Sequence, residues 1–285
     1  MLDRNKDKIL IVGLGLIGGS YAEGFRRAGF HVGAVTRSKE SIDYALEKGI
    51  IESGTNKPDR EYISGFNVII FSLYPKTLLS WIKENQKLIK PGALLTDVTG
   101  VKCSVVYDIQ RMLRKDLEFI GAHPMAGREV YGVKNANADI FKDANYIVTP
   151  TPDNTQAAID TCREIGQILG FGRIATLSPE EHDRMIGFLS QLTHCIAIAL
   201  MNSHETEHLA EYTGDSFRDL TRIARINENM WSELFLMNKQ ALLGEMDLFV
   251  DQINRIREAV KTDDEQLLRQ MMLNSTRRRI CFDKK

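Results

Sequence analysis

Cysteine is scarce in this chain, and its four cysteines lie far apart, at Cys103, Cys162, Cys195 and Cys281. No two of them form a CxxC pair, and none has a histidine at the spacing that zinc sites use. The sequence therefore predicts neither a disulfide framework nor a structural zinc. We expect the four thiols to be reduced and mostly buried.

An excess of charge of either sign is also lacking. The 37 Lys and Arg residues nearly balance the 38 Asp and Glu residues, so the net charge is -1 and the pI is about 6.6. Such a chain has no long-range field to attract nucleic acid or an anionic membrane. We expect no apolar run to span a bilayer, and the amino terminus, MLDRNKDK, is charged. We therefore predict a cytoplasmic protein that acts on small molecules, with no nucleic-acid and no membrane partner.

The chain shows no internal repeat and no low-complexity linker, yet 285 residues suffice for two domains with separate cores. Apolar β-branched runs alternate with stretches of helical spacing as far as Leu177, which is typical of an α/β domain. From Ser178 onward the pattern is helical. We predict a dinucleotide-binding α/β domain in residues 1–177 and a helical domain in residues 178–285.

A glycine motif follows the first apolar run. Gly13, Gly15 and Gly18 have the spacing GxGxxG, with a strand pattern before them and a helix pattern after them. The first glycine permits a tight turn, the second lets the backbone approach a pyrophosphate, and the third allows close helix packing. A second apolar stretch, residues 31–35, completes a βαβ unit, which favours dinucleotide binding over a chance glycine loop. The residues expected to hold the cofactor are Gly13, Leu14, Gly15, Leu16, Ile17 and Gly18.

The end of the second strand bears on the choice of cofactor. An acidic residue there would bind the ribose 2'-hydroxyl of NAD, but the sequence reads Thr36, Arg37, Ser38. A guanidinium beside hydroxyls suits the 2'-phosphate of NADP. We predict NADP or NAD as cofactor, with NADP favoured and with Thr36 and Arg37 in contact. The alternative is that Arg37 stacks on adenine, which would serve either cofactor.

Polar residues also follow two later strands. Ser72 comes at the end of one strand, in SLYP, and Asp97 and Thr99 follow the next, in DVTGVK. Ligands bind at the carboxyl edge of such sheets, so we predict that Ser72 and Asp97 contact the cofactor. An equal alternative is that Asp97 or Thr99 caps the helix beginning near Val101.

His123 is the first candidate for chemistry. It lies in GAHPMAGRE, residues 121–129, directly after a predicted strand over residues 118–122. A neutral imidazole at the carboxyl edge can accept a proton near pH 7. The alternative is that His123 caps a turn, with Pro124 and Gly127 as loop residues.

A second candidate group lies on an apolar helix predicted from Pro179 to about Asn202. Ser178, Pro179 and Glu181 form a capping box that begins this helix. Its polar residues recur every three or four positions and share one face, so they need partners. They are Asp183, Gly187, Ser190 and His194. For His194 alone a satisfied core histidine is the better interpretation, whereas the whole group favours a ligand pocket.

Residues 203–227 are polar and irregular, and amphipathic helices follow from Asn229. His204 and His208 are four residues apart beside acidic residues, which invites interpretation as a metal site. No third ligand is evident, so we predict no metal.

Five motifs, in this order and spacing, resemble the prephenate/arogenate dehydrogenase family over nearly the whole chain. They are GLGLIGGS, DVTGVK, GAHPMAGRE, SPEEHD with SQLTH, and FRDLTRIA with MW. The resemblance implies a Rossmann-type doubly wound sheet followed by an all-α dimerisation domain, and a homodimer. It also implies oxidative decarboxylation of prephenate to 4-hydroxyphenylpyruvate with hydride transfer to NAD(P)+, in tyrosine biosynthesis and without a metal.

The resemblance further assigns residues to the reaction. His123 matches the histidine that holds and deprotonates the ring hydroxyl, His194 matches a second pocket histidine, and Arg222 matches the arginine that grips a carboxylate. Ser190, on the face of His194, is expected to contact substrate. Many members have serine where Gly100 stands, so Thr99 or water is expected to substitute.

Three other functions compete with this one. The first is arogenate oxidation by a member of the same family, because arogenate differs only in its side-chain amino group. The second is a reductase of the β-hydroxyacid dehydrogenase or imine reductase type, which would use a lysine or hydroxyl on the helical domain. The third is an inert dinucleotide sensor, for which the glycine loop alone would suffice.

Overall fold

The chain begins as strands alternating with helices and ends as helices alone, in a computed structural model that describes residues 1–127, 130–205 and 207–282. Arg128 and Glu129, the last residues of the GAHPMAGRE motif, lie outside the described residues. The strands are β1 (Lys8–Val12), β2 (His31–Val35), β3 (Ser53–Thr55), β4 (Val68–Phe71), β5 (Leu94–Asp97), β6 (Glu118–Met125), β7 (Asn145–Thr149) and β8 (Arg173–Thr176). The helices are α1 (Leu16–Arg27), α2 (Lys39–Glu47), α3 (Arg60–Ile63), α4 (Pro75–Asn85), α5 (Cys103–Met112), α6 (Gln156–Ile168), α7 (Pro179–Ile186), α8 (Thr193–Asn202), α9 (Asp215–Thr221), α10 (Glu228–Met237), α11 (Lys239–Lys261) and α12 (Glu265–Ile280).

In the described part of the chain, eight strands form one sheet in the order β3-β2-β1-β4-β5-β6-β7-β8. Neighbouring strands are parallel except β6 and β7, which are antiparallel. The strand order reverses between β1 and β4, and this switch point is where open α/β sheets bind ligands. The predicted doubly wound sheet is therefore confirmed. The short edge strand β3 was not predicted, because three residues are too few to show a periodic pattern.

The sheet is buried on both faces. Ile9 and Ile11 of β1 belong to a core layer with residues of α1 and α6, whereas Leu10 and Val12 belong to a layer with residues of α4 and α5. Successive side chains of a strand point to opposite faces, so a continuous apolar run fills both layers. Each such side chain contributes about 1.5 to 3 kcal/mol on burial. This double packing fixes the carboxyl edge that carries the candidate site.

Strand β6 is longer than predicted and contains His123. The expectation that His123 follows the strand is wrong, because β6 continues to Met125 and His123 pairs with Ile147 of β7. Pairing with β5 ends at Ile120, so the last residues of β6 extend past β5. Pro124 lacks an N–H, and it fits because its nitrogen is on the side that β5 no longer covers.

The change of character at Ser178 is present as predicted. The Ser178 hydroxyl accepts a hydrogen bond from Glu181 N at 3.2 Å, and the Glu181 carboxylate accepts one from Ser178 N at 2.9 Å. A π-helical segment, Gly187–Leu192, interrupts the predicted helix between α7 and α8. The chain has two compact units, Met1–Asn238 and Lys239–Lys285. The predicted boundary at 177/178 thus marks the change in secondary structure, whereas α7 to α10 belong to the same compact unit as the sheet.

The helical stretch Pro179–Asn202 is long and apolar enough to cross a membrane, by length and composition alone. The expectation that no apolar run reaches this length is therefore wrong. Core helices of soluble proteins pass the same test, so the finding is weak evidence for a membrane. Several of its apolar side chains are exposed in this single chain, namely Met185, Phe188, Leu189 and Met201.

Candidate active site

A cavity of ≈ 600 Å³ lies at the carboxyl edge of the sheet, within the first compact unit. One wall is formed by the glycine loop and the ends of β4 and β6, and another by the π-helical segment, α8 and α10. Predicted site residues that line it are Gly15, Leu16, Ile17, Ser72, Thr99, His123, Ser190 and His194. Tertiary packing thus brings the proposed dinucleotide loop and both candidate histidines to one cavity, the usual setting for a small-molecule site.

The glycine loop has the shape that its spacing predicts. Gly13 has φ +96°, and a Cβ there would lie 2.2 Å from the carbonyl oxygen of Ser72. A Cβ on Gly18 would lie 2.0 Å from the Gly13 carbonyl oxygen, so both positions require glycine. For Gly15, no atom of the described residues lies within 4 Å of such a Cβ, and Gly15 begins α1 without a side-chain cap. The backbone N–H groups of α1 can therefore meet an anion, while Leu14 packs into the core.

Thr36 and Arg37 lie beside this loop. The Val35 carbonyl accepts a hydrogen bond from Gly13 N at 2.8 Å, which fixes the end of β2 next to the glycine turn. Arg37 is exposed and Thr36 is half-buried. The Ser38 hydroxyl caps α2 by accepting a hydrogen bond from Ser41 N at 3.1 Å. Ser38 is therefore committed to the helix, and the contact of Arg37 with the cofactor stays a prediction.

Asp97 has a different position from the one predicted. Its carboxylate is fully buried, and Oδ2 accepts hydrogen bonds from Lys102 Nζ at 2.7 Å and from Thr99 N at 3.0 Å. Its Oδ1 accepts a hydrogen bond from Ala122 N at 3.0 Å. The predicted cofactor contact by Asp97 is therefore corrected, because both oxygens bind protein groups and the side chain has no exposed surface. Asp97 instead joins β5 to β6.

Thr99 and Lys102 complete this internal group. The Thr99 hydroxyl bonds to the Asp97 carboxylate, lies 2.9 Å from the Val101 carbonyl and accepts from Lys102 Nζ at 3.1 Å. Thr99 lines the cavity, but its hydroxyl is engaged inside the protein. Burial lowers the pKa of Lys102, and the charge of Asp97 partly offsets this. The substrate contact predicted for Thr99 stays a prediction.

His123 is hydrogen-bonded to a histidine that the sequence analysis did not assign. Its Nδ1 lies 2.9 Å from Nε2 of His182, and Nδ1 of His182 lies 2.8 Å from Oδ1 of Asp183. The Asp183 carboxylate also accepts hydrogen bonds from Lys102 N at 2.7 Å and Cys103 N at 2.8 Å. These N–H groups open α5, where the helix dipole favours an anion. His182 stands in the SPEEHD motif, but nothing local indicates that it meets His123, 59 residues away.

Both histidines favour the neutral ring. Burial lowers the pKa of His123 well below its usual 6.5, and its closeness to the cationic forms of His182 and Lys102 lowers it further. Burial also lowers the pKa of His182, although the hydrogen bond to Asp183 acts in the opposite direction. Burial alone would raise the pKa of Asp183, but its hydrogen bonds from His182 and the α5 backbone leave that pKa below its usual value. At neutral pH His123 is therefore able to accept a proton.

His194 lies across the cavity from the glycine loop. Its Nδ1 donates to the Ser190 carbonyl at 2.9 Å, and its ring lies against Trp231, with centroids 3.6 Å apart and the planes tilted by 30°. In the neutral ring this bond makes Nε2 the unprotonated nitrogen. Asp183, predicted to share this face, instead meets the start of α5, since the π-helical segment changes the helical spacing between them. Ser190 and His194 do line the cavity together, as the polar pattern predicts.

Two buried amides were not predicted either. Asn238 Nδ2 donates to the Asp183 carbonyl and to Gln191 Oε1, both at 2.8 Å. Gln191 Nε2 donates to the Leu234 carbonyl at 3.1 Å. These bonds join the π-helical segment to α10 and satisfy buried polar groups. Their partners are up to 55 residues apart, so no local pattern could have shown them.

The predicted carboxylate clamp, Arg222, is exposed and lies in the 3-10 turn Arg222–Ala224. Among the described residues that line the cavity, the arginine is Arg225, three positions later. The role of Arg222 therefore stays a prediction, and Arg225 becomes a second candidate for the same role.

A Rossmann-type sheet whose glycine loop shares a cavity with a neutral histidine is typical of dinucleotide-dependent oxidoreductases. The family model for the prephenate dehydrogenase nucleotide-binding domain matches residues 21–171, and the model for the prephenate dehydrogenase dimerization domain matches residues 178–274. The chain belongs to the prephenate dehydrogenase family.

Individual relatives agree with this assignment. The chain is 31% identical to prephenate dehydrogenase from Bacillus subtilis, over 94% of this chain and 74% of that protein. It is 27% identical to cyclohexadienyl dehydrogenase from Zymomonas mobilis, over 96% of this chain and 95% of that protein. A crystal structure of prephenate dehydrogenase from Aquifex aeolicus, in complex with hydroxyphenyl propionate and NAD+, superposes with a TM-score of 0.88 at 30% identity. That superposition covers 97% of this chain and 98% of the other.

Proposed function

We propose that this protein catalyses the oxidative decarboxylation of prephenate to 4-hydroxyphenylpyruvate with a nicotinamide dinucleotide as hydride acceptor. The observation that carries the proposal is that the glycine loop and a neutral His123 line the same cavity. Membership of the prephenate dehydrogenase family supports the choice of substrate. We also propose that the protein is cytoplasmic, as the sequence predicts.

In this mechanism the residues of the chain bind the reactants and move a proton. NAD(P)+, when bound, would accept the hydride, and the backbone N–H groups opening α1 would hold its pyrophosphate. His123 accepts the proton of the ring hydroxyl as the hydride leaves the same carbon. The bond to the ring carboxylate then breaks, CO2 leaves, and the electron pair restores aromaticity. The phenol oxygen regains a proton, so the reaction is balanced by one hydride transfer and one CO2.

The other carboxylate of prephenate remains on the product and needs a cation. We assign the binding of this carboxylate to Arg222, as the resemblance implies. The alternative is Arg225, which lines the cavity. A guanidinium can hold a carboxylate through two parallel hydrogen bonds. Ser190 and His194 are proposed to contact the substrate, because both line the cavity.

We propose that Arg37 gives the protein a preference for NADP. Arg37 is exposed beside the glycine turn, and a 2'-phosphate there would gain a charge-assisted hydrogen bond. The measurement is kcat/KM with each cofactor, and a strong preference for NAD+ would contradict this part of the proposal.

We also propose that two copies pair through the helical region that matches the family's dimerization domain. Met185, Phe188 and Leu189 each expose more than 40% of their surface in a single chain, and a second copy could cover these apolar side chains. Light scattering on a size-exclusion column should give the mass of two chains. A single-chain mass at micromolar protein would contradict pairing.

The activity itself is tested by mixing purified protein with prephenate and either NAD+ or NADP+ and following the absorbance of the reduced cofactor. Arogenate is run in parallel, since it differs only at the side-chain amino group. His123→Asn should lower kcat by about two to four orders of magnitude and leave cofactor affinity unchanged. No reduction with either cofactor would overturn the proposal, and reduction with arogenate alone would change the substrate.

A further inference from the structure

We propose that His182 and Asp183 are positioning residues for His123, which they hold in the tautomer with Nδ1 protonated and Nε2 free of a proton. The tautomer follows from the hydrogen bonds described above, and its catalytic consequence rests on the proposed function. His182 had no predicted role, whereas Asp183 was expected in a ligand pocket because it shares a helix face with Ser190 and His194.

Asp183 fixes the direction of the first hydrogen bond. Its two oxygens already accept hydrogen bonds from the backbone N–H groups of Lys102 and Cys103, at 2.7 and 2.8 Å, so the carboxylate acts only as an acceptor. The side chain of His182 has no solvent-exposed surface, so its ring nitrogens face protein groups. Nδ1 of His182, 2.8 Å from Asp183 Oδ1, must therefore carry the proton that it donates.

The second bond then has only one arrangement for neutral rings. With its proton on Nδ1, His182 has a lone pair on Nε2, which accepts a hydrogen bond at 2.9 Å from Nδ1 of His123. The reverse arrangement would place an unprotonated Nδ1 of His182 against the Asp183 carboxylate, two acceptors facing each other. Buried polar atoms without a donor between them are costly, so this arrangement is disfavoured.

The consequence for His123 concerns its other nitrogen. With the proton on Nδ1, Nε2 has a lone pair and can accept the proton of a substrate hydroxyl. In the other tautomer Nε2 would present an N–H to the hydroxyl and could not act as a base. Once His123 is protonated, its Nδ1–H keeps its acceptor in His182, which donates in turn to Asp183. The anion thus supports the imidazolium through two hydrogen bonds.

The direct test is ¹⁵N NMR of histidine-labelled protein without substrate or cofactor. The chain has six histidines, and the His123 signals are identified by their loss in His123→Asn. We expect His123 to show a protonated Nδ1 and an unprotonated Nε2. A His123 protonated on Nε2 in the unmodified protein would overturn the proposal.

Two substitutions of His182 extend this test to turnover. In His182→Gln the amide oxygen can occupy the position of Nε2 and still accept from His123, whereas the thioether of His182→Met is a much weaker acceptor. We expect the glutamine variant to keep the tautomer and most of kcat/KM. The methionine variant should lose the tautomer and about 10- to 100-fold of kcat/KM, the range for removing a partner that orients a functional imidazole.

His31→Gln is the matched control, because His31 also pairs with a carboxylate, Glu52, but lies on β2 away from the cavity. It should leave both the tautomer of His123 and turnover unchanged. A methionine variant that keeps both would overturn the proposal. If that variant does not fold, the unmodified protein and His182→Gln still decide the matter through the tautomer. Protein with the expected tautomer but no activity on prephenate would refute the proposed function and leave the positioning role standing.

Discussion

Replacing Lys102 by methionine should strongly destabilise the first compact unit. Lys102 and Asp97 are both fully buried, with Nζ 2.7 Å from Oδ2. Methionine fills a similar volume but removes the charge, which leaves a buried carboxylate with only the N–H groups of Thr99 and Ala122 and the Thr99 hydroxyl as partners. Lys102→Met therefore tests whether Asp97 has a structural role, as its contacts indicate.

The magnitude follows from the burial of the pair. Removing one partner of a buried ion pair costs about 3 to 5 kcal/mol, and the remaining donors around Asp97 place the loss near the lower end. For a unit of this size about 3 kcal/mol corresponds to a fall in Tm of about 6 to 12 °C. Burial lowers the pKa of Lys102 even though the negative charge of Asp97 acts to raise it. Desolvation therefore acts against the buried ion pair. Lys102→Met with Asp97→Asn should therefore be more stable than Lys102→Met alone.

The assay is denaturant unfolding followed by tryptophan fluorescence, with Trp81 packed against Phe71 as a reporter of the sheet. Lys83→Met, on an exposed part of α4, is the control and should change the free energy of unfolding by less than about 0.5 kcal/mol. Cofactor affinity is measured on the same proteins. Unchanged stability together with weakened cofactor binding in Lys102→Met would refute the reasoning, and would restore Asp97 as a cofactor contact.

Four further predictions address the site. Arg222→Ala should raise the substrate KM by the equivalent of about 2 to 4 kcal/mol with little change in kcat, since the clamp acts equally in ground and transition states. Arg225→Ala is its matched comparison, and an effect confined to that variant would move the clamp to Arg225. His194→Ala should raise the substrate KM more mildly, by about 1 kcal/mol; a lower Tm with normal KM would instead make His194 a core histidine. Arg37→Asp should shift the ratio of kcat/KM from NADP toward NAD, and an unchanged ratio would exclude Arg37 from the 2' position. Because the pKa of His123 lies well below 6.5, its base form persists as the pH falls to 6.5, so kcat/KM should decline only below that pH; a decline that begins above it would contradict the assignment.

Features that depend on short stretches of chain could be predicted from the sequence. The glycine loop is one, because its turn, backbone approach and helix start all lie within Gly13 to Gly18. The capping box at Ser178 is another, since its two hydrogen bonds join residues three apart. The position of His123 at the carboxyl edge follows in the same way from the order of strands, although its inclusion in β6 does not.

The rest was decided by contacts between distant parts of the chain. His182 meets His123 across 59 residues, and Asp183 meets Lys102 N across 81. Asp97 looked like a ligand contact, because a carboxylate after a strand has the same local pattern whether it faces a cavity or a buried lysine. Burial and hydrogen-bond partners distinguish the two, and both arise only when the sheet and the helices after Ser178 pack together. The sequence therefore determined which chemical groups stand at the sheet edge, and the tertiary structure decided which of them reach the cavity and which hold it in shape.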